Sequence, residues 1–262
     1  MKLLTLNCHS WHEENQLAKI EWLARAIVQN DYDIIALQEV SQKVGGTPIH
    51  LQVKEGNYAY VLWQKIKELG GHSYHLHWDL SHLAYENQYE EGLAILSKVP
   101  FEETSSFYIS QSHNIEQWKS RKIVKATVKM NGENVSFYSC HCGWWHDEEE
   151  PFKNQVDQLM NYIPNDEWVF LMGDFNNSAH IRGEGYDYLL KQGFYDTYDL
   201  AEEKDEGITV KGKIAGWDQN KQDLRIDLIL TNRNIPVQSS AVIFNGLNHQ
   251  IVSDHYGVEV TL

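Results

Sequence analysis

The sequence predicts an α/β fold, two packed β-sheets with helices outside them, built as one domain over residues 1–262. Three observations predict it. Strand-like apolar runs alternate with helix-like periodic stretches from end to end. Hydrophobic residues make up 42% of the chain, including nine Trp and fourteen Tyr, so a sizeable core is available. No linker, low-complexity segment or internal repeat interrupts the pattern.

Leu3–Leu6 reads as a first strand, closed by Asn7-Cys8-His9-Ser10. Leu17, Ile20, Leu23, Ala24, Ile27 and Val28 follow helical spacing, which predicts an amphipathic helix over residues 13–30. Asp33–Leu37 is a buried strand that delivers Gln38 and Glu39 at its end. Residues 41–57 contain Gly45-Gly46 and Thr47-Pro48 without periodicity, so a loop is expected. Val61, Leu62, Lys65, Ile66 and Leu69 predict a helix stopped by Gly70-Gly71.

Residues 73–78 fit a strand, and Gly92–Leu96 fits a second, short one after Glu90-Glu91. Lys122–Met130 and Asn134–Cys140 form a hairpin, because Asn131-Gly132 suits a tight turn. Phe152, Val156, Leu159, Met160 and Ile163 make a further helix, entered through Pro151. The apolar run from Trp168 to Met172 is the strongest strand, and it ends in Gly173-Asp174-Phe175-Asn176. A helix over residues 184–191 follows, with Gly193 beyond it. Residues 199–223 are polar and irregular, and Leu224–Leu230, Val237–Phe244 and Gly257–Leu262 finish the chain in strands.

The formal charge of −15 repels polyanions at long range, which disfavours an extended nucleic-acid footprint or an anionic membrane surface. A divalent cation can still bring a phosphate in locally. Three cysteines, with Cys8 far from Cys140 and Cys142, do not describe a disulfide framework. Met1–Leu6 runs straight into polar Asn7, too short for a secretion signal, and no apolar run reaches membrane-spanning length. A soluble, cytoplasmic protein is expected.

Chemistry concentrates at strand ends. Asn7, Glu39, His141, Asp174 with Asn176, and Asp254 with His255 each follow an apolar run. Any one of them is as easily a turn residue or a satisfied core group. Five such placements are harder to dismiss. Glu39, Asn7 and a nearby carboxylate supply the hard oxygen ligands that Mg²⁺ prefers. A His beside an orienting Asp makes a base for activating water. Asp227 lies in an otherwise apolar strand, where an unpaired charge is costly, so it needs a partner such as an imidazolium.

Two metal readings carry less weight. His72, His75, His77 and His82 are clustered but lack acidic or Cys partners at ligand spacing, although they could shape a pocket. Cys140 and Cys142 point away from His141 on a strand, which argues against zinc.

Asn7, Leu37-Gln38-Glu39, Ser139-Cys140-His141, Gly173-Asp174-Phe175-Asn176, Arg225-Ile226-Asp227 and Ser253-Asp254-His255 together resemble the endonuclease/exonuclease/phosphatase superfamily, from Leu3 to the C-terminus. The resemblance implies a four-layer α/β sandwich, with two mixed, mostly antiparallel sheets and the site at their shared rim. It implies a metal-dependent phosphoesterase using Mg²⁺, with Mn²⁺ or Ca²⁺ as alternatives. Glu39 would be the main ligand, with Asn7 and Asp254 close by. His255, oriented by Asp227, would act at the water or phosphate, and Asp174 and Asn176 would position the nucleophile and phosphoryl oxygens. His141 would bind phosphate or protonate the leaving group, steadied by Glu91. Arg121, heading the Lys122–Met130 strand, matches a phosphate-contacting Arg of some members.

Within the superfamily, Leu6–Trp11, Gly173–Gly185, Tyr195–Tyr198, Gly207–Val210 and Phe244–Gly246 look like the bacterial maltose 6′-phosphate phosphatase group. Ser178 stands where Pro is expected there, and Cys8 where Thr is more usual. The expected partner is thus a small phosphorylated sugar. Trp11, Trp144, Trp145 and Trp217 are available to stack on sugar faces, with Arg182 and Lys213 as weaker phosphate contacts. The alternatives are a nuclease, whose basic tracts are missing apart from Lys119–Lys125, and a sphingomyelinase-like phosphodiesterase, whose signal peptide and exposed apolar hairpin are not evident. A non-catalytic binding module on the same fold fits poorly with so complete a residue set.

Overall fold

A computed structural model provides the structure, and it describes residues 1–164 and 166–262. The first half runs β1 (Lys2–Asn7), α1 (Gln16–Asn30), β2 (Ile34–Lys43), β3 (Pro48–His50), β4 (Val53–Lys54), α2 (Tyr58–Glu68), β5 (His75–Ala84), β6 (Tyr89–Ser97) and β7 (Phe101–Tyr108). The second half runs β8 (Lys122–Met130), β9 (Glu133–His141), α3 (Phe152–Met160), β10 (Trp168–Asp174), α4 (Gly185–Lys191), β11 (Tyr195–Asp196), α5 (Thr197–Leu200), β12 (Ala201–Lys204), β13 (Asp227–Thr231), β14 (Val237–Ile243) and β15 (Gly257–Thr261). Among the described residues, no helix is long and apolar enough to cross a membrane.

A seven-stranded sheet has the order β12-β14-β15-β1-β2-β6-β5, and a six-stranded sheet has the order β11-β13-β10-β9-β8-β7. Most pairs are antiparallel; β1–β2, β9–β10 and β12–β14 are parallel. The period-2 alternation of the central strands builds four layers. Leu3, Ile34, Ala36 and Ile95 meet Val124, Phe137, Phe170 and Ile229 between the sheets. Leu4, Leu6, Ile35 and Leu37 turn outward, under Ile20, Leu23 and Ile27 of α1 and Leu62 and Ile66 of α2. On the opposite outer face, Tyr138, Cys140, Val169 and Leu171 lie under Phe152, Val156 and Leu159 of α3 and Leu189 of α4. Cys8 and Cys140 therefore belong to different outer cores, which removes a shared zinc site.

Several boundaries differ from the sequence expectation. β2 does not end at Glu39 but continues to Lys43, and residues 48–54 form a small hairpin inside the expected loop. The chain also pairs Phe101–Tyr108 with β8, although Glu102 to Ser106 lack apolar alternation. Here partner strands supply the order that local sequence does not. The 199–223 stretch opens with the end of α5 and the edge strand β12. Asp254 and His255 do not end a strand; they sit in the loop that leads into β15.

Candidate active site

The inward-facing positions carry the site. Register sets Asp174 opposite His141 on β9 and opposite Asp227 on β13, so three candidate residues sit side by side on adjacent strands. Asn7 occupies the inward position at the end of β1, in line with Leu3 and Thr5. It reaches across the gap between sheets. Its Nδ2 donates to Glu39 Oε1 at 2.9 Å and to Asp174 Oδ2 at 3.1 Å, while its Oδ1 accepts from the His9 N–H. Asn7, expected among the metal ligands, is fully buried and braces two carboxylates from behind the cavity.

Glu39 is aimed by a bulge. Leu37 and Val40 both face the α1–α2 side, so one extra residue must be absorbed between them, and the register shifts there. Glu39 takes φ 50°, a left-handed conformation uncommon for a non-glycine residue. Ser10 secures it: its hydroxyl donates to the Glu39 carbonyl at 2.5 Å and accepts the Ser41 N–H at 2.8 Å. A second register shift, between Leu80 and His82, accompanies the turn of His82 toward the same cavity.

The cavity, of about 580 Å³, is lined by Glu39, Arg121, His141, Asp174, Asn176, Asp254 and His255 from the sequence-derived set. Glu91 also lines it, but it faces His82 at 3.4 Å, its cross-strand partner, and does not steady His141. His141 Nε2 lies 3.6 Å from Asp174 and 4.0 Å from Glu39. Asp227, behind His255, accepts from its Nδ1 at 2.9 and 3.2 Å, which leaves Nε2 toward Asp174, 3.8 Å away. Asn176, also left-handed at φ 49°, donates to the Cys142 carbonyl and accepts from Trp217 Nε1 at 2.9 Å. Arg121 is buried and has no carboxylate within ion-pair distance among the described residues. An unpaired guanidinium on a cavity wall is a ready anion receiver.

Electrostatics sharpen the picture. Burial, then Asp227, pushes the Asp174 carboxyl up to about 7 against the opposing pull of His255. Burial and the Glu39 charge raise Glu91 to about 8. Burial pulls His255 down, but Asp227, Asp174 and Asp254 outweigh it and hold the imidazolium to about 10. His141 goes the other way, lowered by burial and by Arg121, and stays neutral. Carboxyl groups raised by burial and neighbouring negative charge describe a site short of positive charge. Asp254 groups with His9 and Glu13, Asp174 groups with Asp227 and His255, and Glu39 lines the same cavity, so oxygen donors of the kind a hard divalent cation prefers are gathered there.

Sequence reasoning missed His9, Trp118 and the turn Tyr85–Asn87, all of which line the cavity, as does His82, one of the histidines expected to shape a pocket. His9 bonds Glu13 at 2.7 Å and sits 3.7 Å from Asp254; those charges and Glu39 overcome burial and raise it to about 9. Its place beside Asn7 in the first strand-end loop was the available signal. Of the four clustered histidines, only His82 reaches the cavity, and none joins a three-ligand group among the described residues. Trp144 lines the cavity, whereas Trp11 and Trp145 pack against the two outer cores and Trp217 buttresses Asn176. Arg182 pairs with Asp187 at 2.6 Å on the surface, and Lys213 is absent from the lining.

Residues 15–255 match the model of the Endonuclease/Exonuclease/phosphatase family. An endonuclease/exonuclease/phosphatase family protein from Leptotrichia buccalis is 38% identical, with 100% of this chain and 99% of that chain covered at a TM-score of 0.93. A mannosyl-6-phosphatase from Bacteroides thetaiotaomicron is 16% identical, covering 99% and 98% at 0.68. D. rerio TDP2, in complex with a single strand DNA product, is 16% identical, covering 99% and 97% at 0.63. The last two likenesses speak to the fold. No curated protein matches the chain significantly.

Proposed function

The chain belongs to the endonuclease/exonuclease/phosphatase family, and on that premise we propose that it is a divalent-metal-dependent phosphatase acting on a small phosphorylated sugar. One observation carries the reading: a buried, unpaired Arg121 shares a bounded cavity with Glu39, Asp174, His141 and His255. That cavity falls within the ordinary size range of small-ligand pockets. Its rim holds Glu86 and Glu116, which repel the flanking phosphates of a polynucleotide. The overall charge of −15 acts in the same direction. The resemblance to the maltose 6′-phosphate phosphatase group supports a phosphorylated disaccharide as the first substrate to test.

Glu39 and Asp254 would hold the cation, with Mg²⁺ favoured because few protein oxygens leave room for waters. When bound, the ion supplies charge stabilisation at the phosphoryl oxygens. Arg121, on the same cavity, would grip the phosphate. His255, its Nδ1 bonded to Asp227, turns Nε2 toward the phosphoryl charge. Asp174 lies next to both histidines and takes the proton of an attacking water, for which a carboxyl near neutrality is well matched. His141, neutral and lining the cavity, would attend the leaving oxygen.

Phosphate release with Mg²⁺ from a panel of sugar phosphates, maltose 6′-phosphate included, tests this beside plasmid and RNA degradation. Expected is release abolished by EDTA, with nucleic acid intact. Glu39→Gln should raise the Mg²⁺ concentration needed and cut the rate severely. A nicked plasmid with untouched sugar phosphates would overturn the reading.

A further inference from the structure

Two aromatic side chains stand exposed at the cavity although burial would favour both. Trp118 is 54% exposed and Tyr85 is 44% exposed, and both line it. Each has one face already covered. Lys119 lies over the Trp118 ring at 5.6 Å, anchored by Asp147 and Glu149 at 2.9 Å each. His12 stacks on Tyr85 at 3.4 Å between centroids. Trp118 also meets Trp144 edge-on at 6.1 Å, and Arg121 lies 5.8 Å over the Trp144 ring. The aromatic surface is therefore continuous with the anion receiver.

The surroundings are polar in a particular way. The Trp144 Nε1 donor is buried and has no acceptor. Glu86 and Glu116 line the cavity without an ion-pair partner among the described residues. Tyr85, Glu86 and Asn87 are successive left-handed residues, with φ 51°, 55° and 61°. Such strain gathers where a ligand or catalytic group must be presented. Gly216 completes the wall: a Cβ there would lie 2.3 Å from Trp144, so only glycine lets residues 214–216 close against that ring.

We propose that Trp118 and Trp144, facing the Tyr85–Asn87 turn, form a subsite for the uncharged sugar ring of the leaving group, with its phosphate on Arg121. This deepens, and rests on, the phosphatase reading. A saccharide presents flat C–H faces and hydroxyl edges. The faces suit exposed indole, and the hydroxyls suit the carboxylates of Glu86 and Glu116 and the Trp144 Nε1 donor, which lack partners among the described residues. The same carboxylates disfavour a leaving group that carries further negative charge.

Trp118→Ala tests the subsite, since an exposed side chain is removed without opening the core. The readout is the ratio of kcat/KM for maltose 6′-phosphate to that for glycerol 3-phosphate. Expected is a fall in that ratio of about 10-fold or more, carried mainly by KM. An unchanged ratio overturns the subsite, as does a wild-type preference for uridine 5′-monophosphate that Trp118→Ala abolishes. If no phosphomonoester turns over, the phosphatase reading fails, and saturation-transfer NMR with maltose judges the subsite alone. Transfer to the sugar that disappears in Trp118→Ala supports it, and no transfer in the wild type overturns it.

Discussion

Asn7 and Asp174, 167 positions apart, hydrogen-bond across the two sheets at 3.1 Å, each at the inward end of its strand. This contact ties the sandwich to the site: the carboxylate is held by an amide from the opposite sheet. Asn7 offers the same support to Glu39. Asn7→Ala leaves both carboxylates short of a donor, and buried Asp174 bears the larger cost. Expected are a loss of about 1–3 kcal/mol in stability by urea unfolding and a fall in turnover of the folded variant. A variant as stable and active as the parent would show that the bond does not position Asp174.

Asp227→Asn changes the charge behind His255 while keeping its shape. The imidazolium stands at about 10 because Asp227, Asp174 and Asp254 overcome burial. Removing one of those charges lets it lose its proton at lower pH. The alkaline limb of kcat/KM should move down, and the rate should fall about 100-fold or more. His255→Ala should remove most turnover with the fold intact. Circular dichroism and a pH–rate profile check both variants.

Glu91 gives a prediction about stability. Burial and Glu39 raise it from 4.5 to about 8, so the folded state binds its proton more tightly than the unfolded chain does. Stability should therefore decline as pH rises from about 4.5 to about 8 on this account. Glu91→Gln removes that contribution. In EDTA, the urea midpoint of the Gln variant should gain on the parent between pH 5 and pH 8.5. Equal slopes would place the Glu91 carboxylate in a better-solvated setting.

Gly173 precedes Asp174 at the point where β10 lies against β9. A Cβ at this position would sit 1.9 Å from the Cys140 carbonyl oxygen, which is backbone and cannot swing away. Gly173→Ala should separate the two strands locally, at a cost of about 3 kcal/mol or more. Thermal unfolding checks this, and rates should fall because His141 and Asp174 lose their register.

Much of the site was legible because strands repeat every two residues. The apolar run ending in Gly173-Asp174-Phe175-Asn176 declared both a buried strand and where its polar end emerged. Asp227 in an apolar setting called for a cationic partner, and His255 lies beside it. Glu39 was legible as a residue but not in its aim. The bulge that turns it is set by the unequal spacing of Leu37 and Val40 against β6. The sequence of Phe101–Tyr108 had no strand pattern because this edge strand buries neither face fully and is ordered by backbone pairing along β8.

The sequence by itself determined the alternating α/β architecture, the polar ends of its buried strands at Asn7, His141 and Asp174, and the family to which the chain belongs. Local periodicity and short motifs encode all three, since each depends on neighbours a few residues away. Only the tertiary structure decided that His9, His82, Tyr85 and Trp118 share one cavity with them, and that Trp11 and Trp145 are packing residues. Those placements follow from bulges, loop paths and the stacking of one sheet on the other. They arise from contacts between distant segments, and no pattern within one segment carries them.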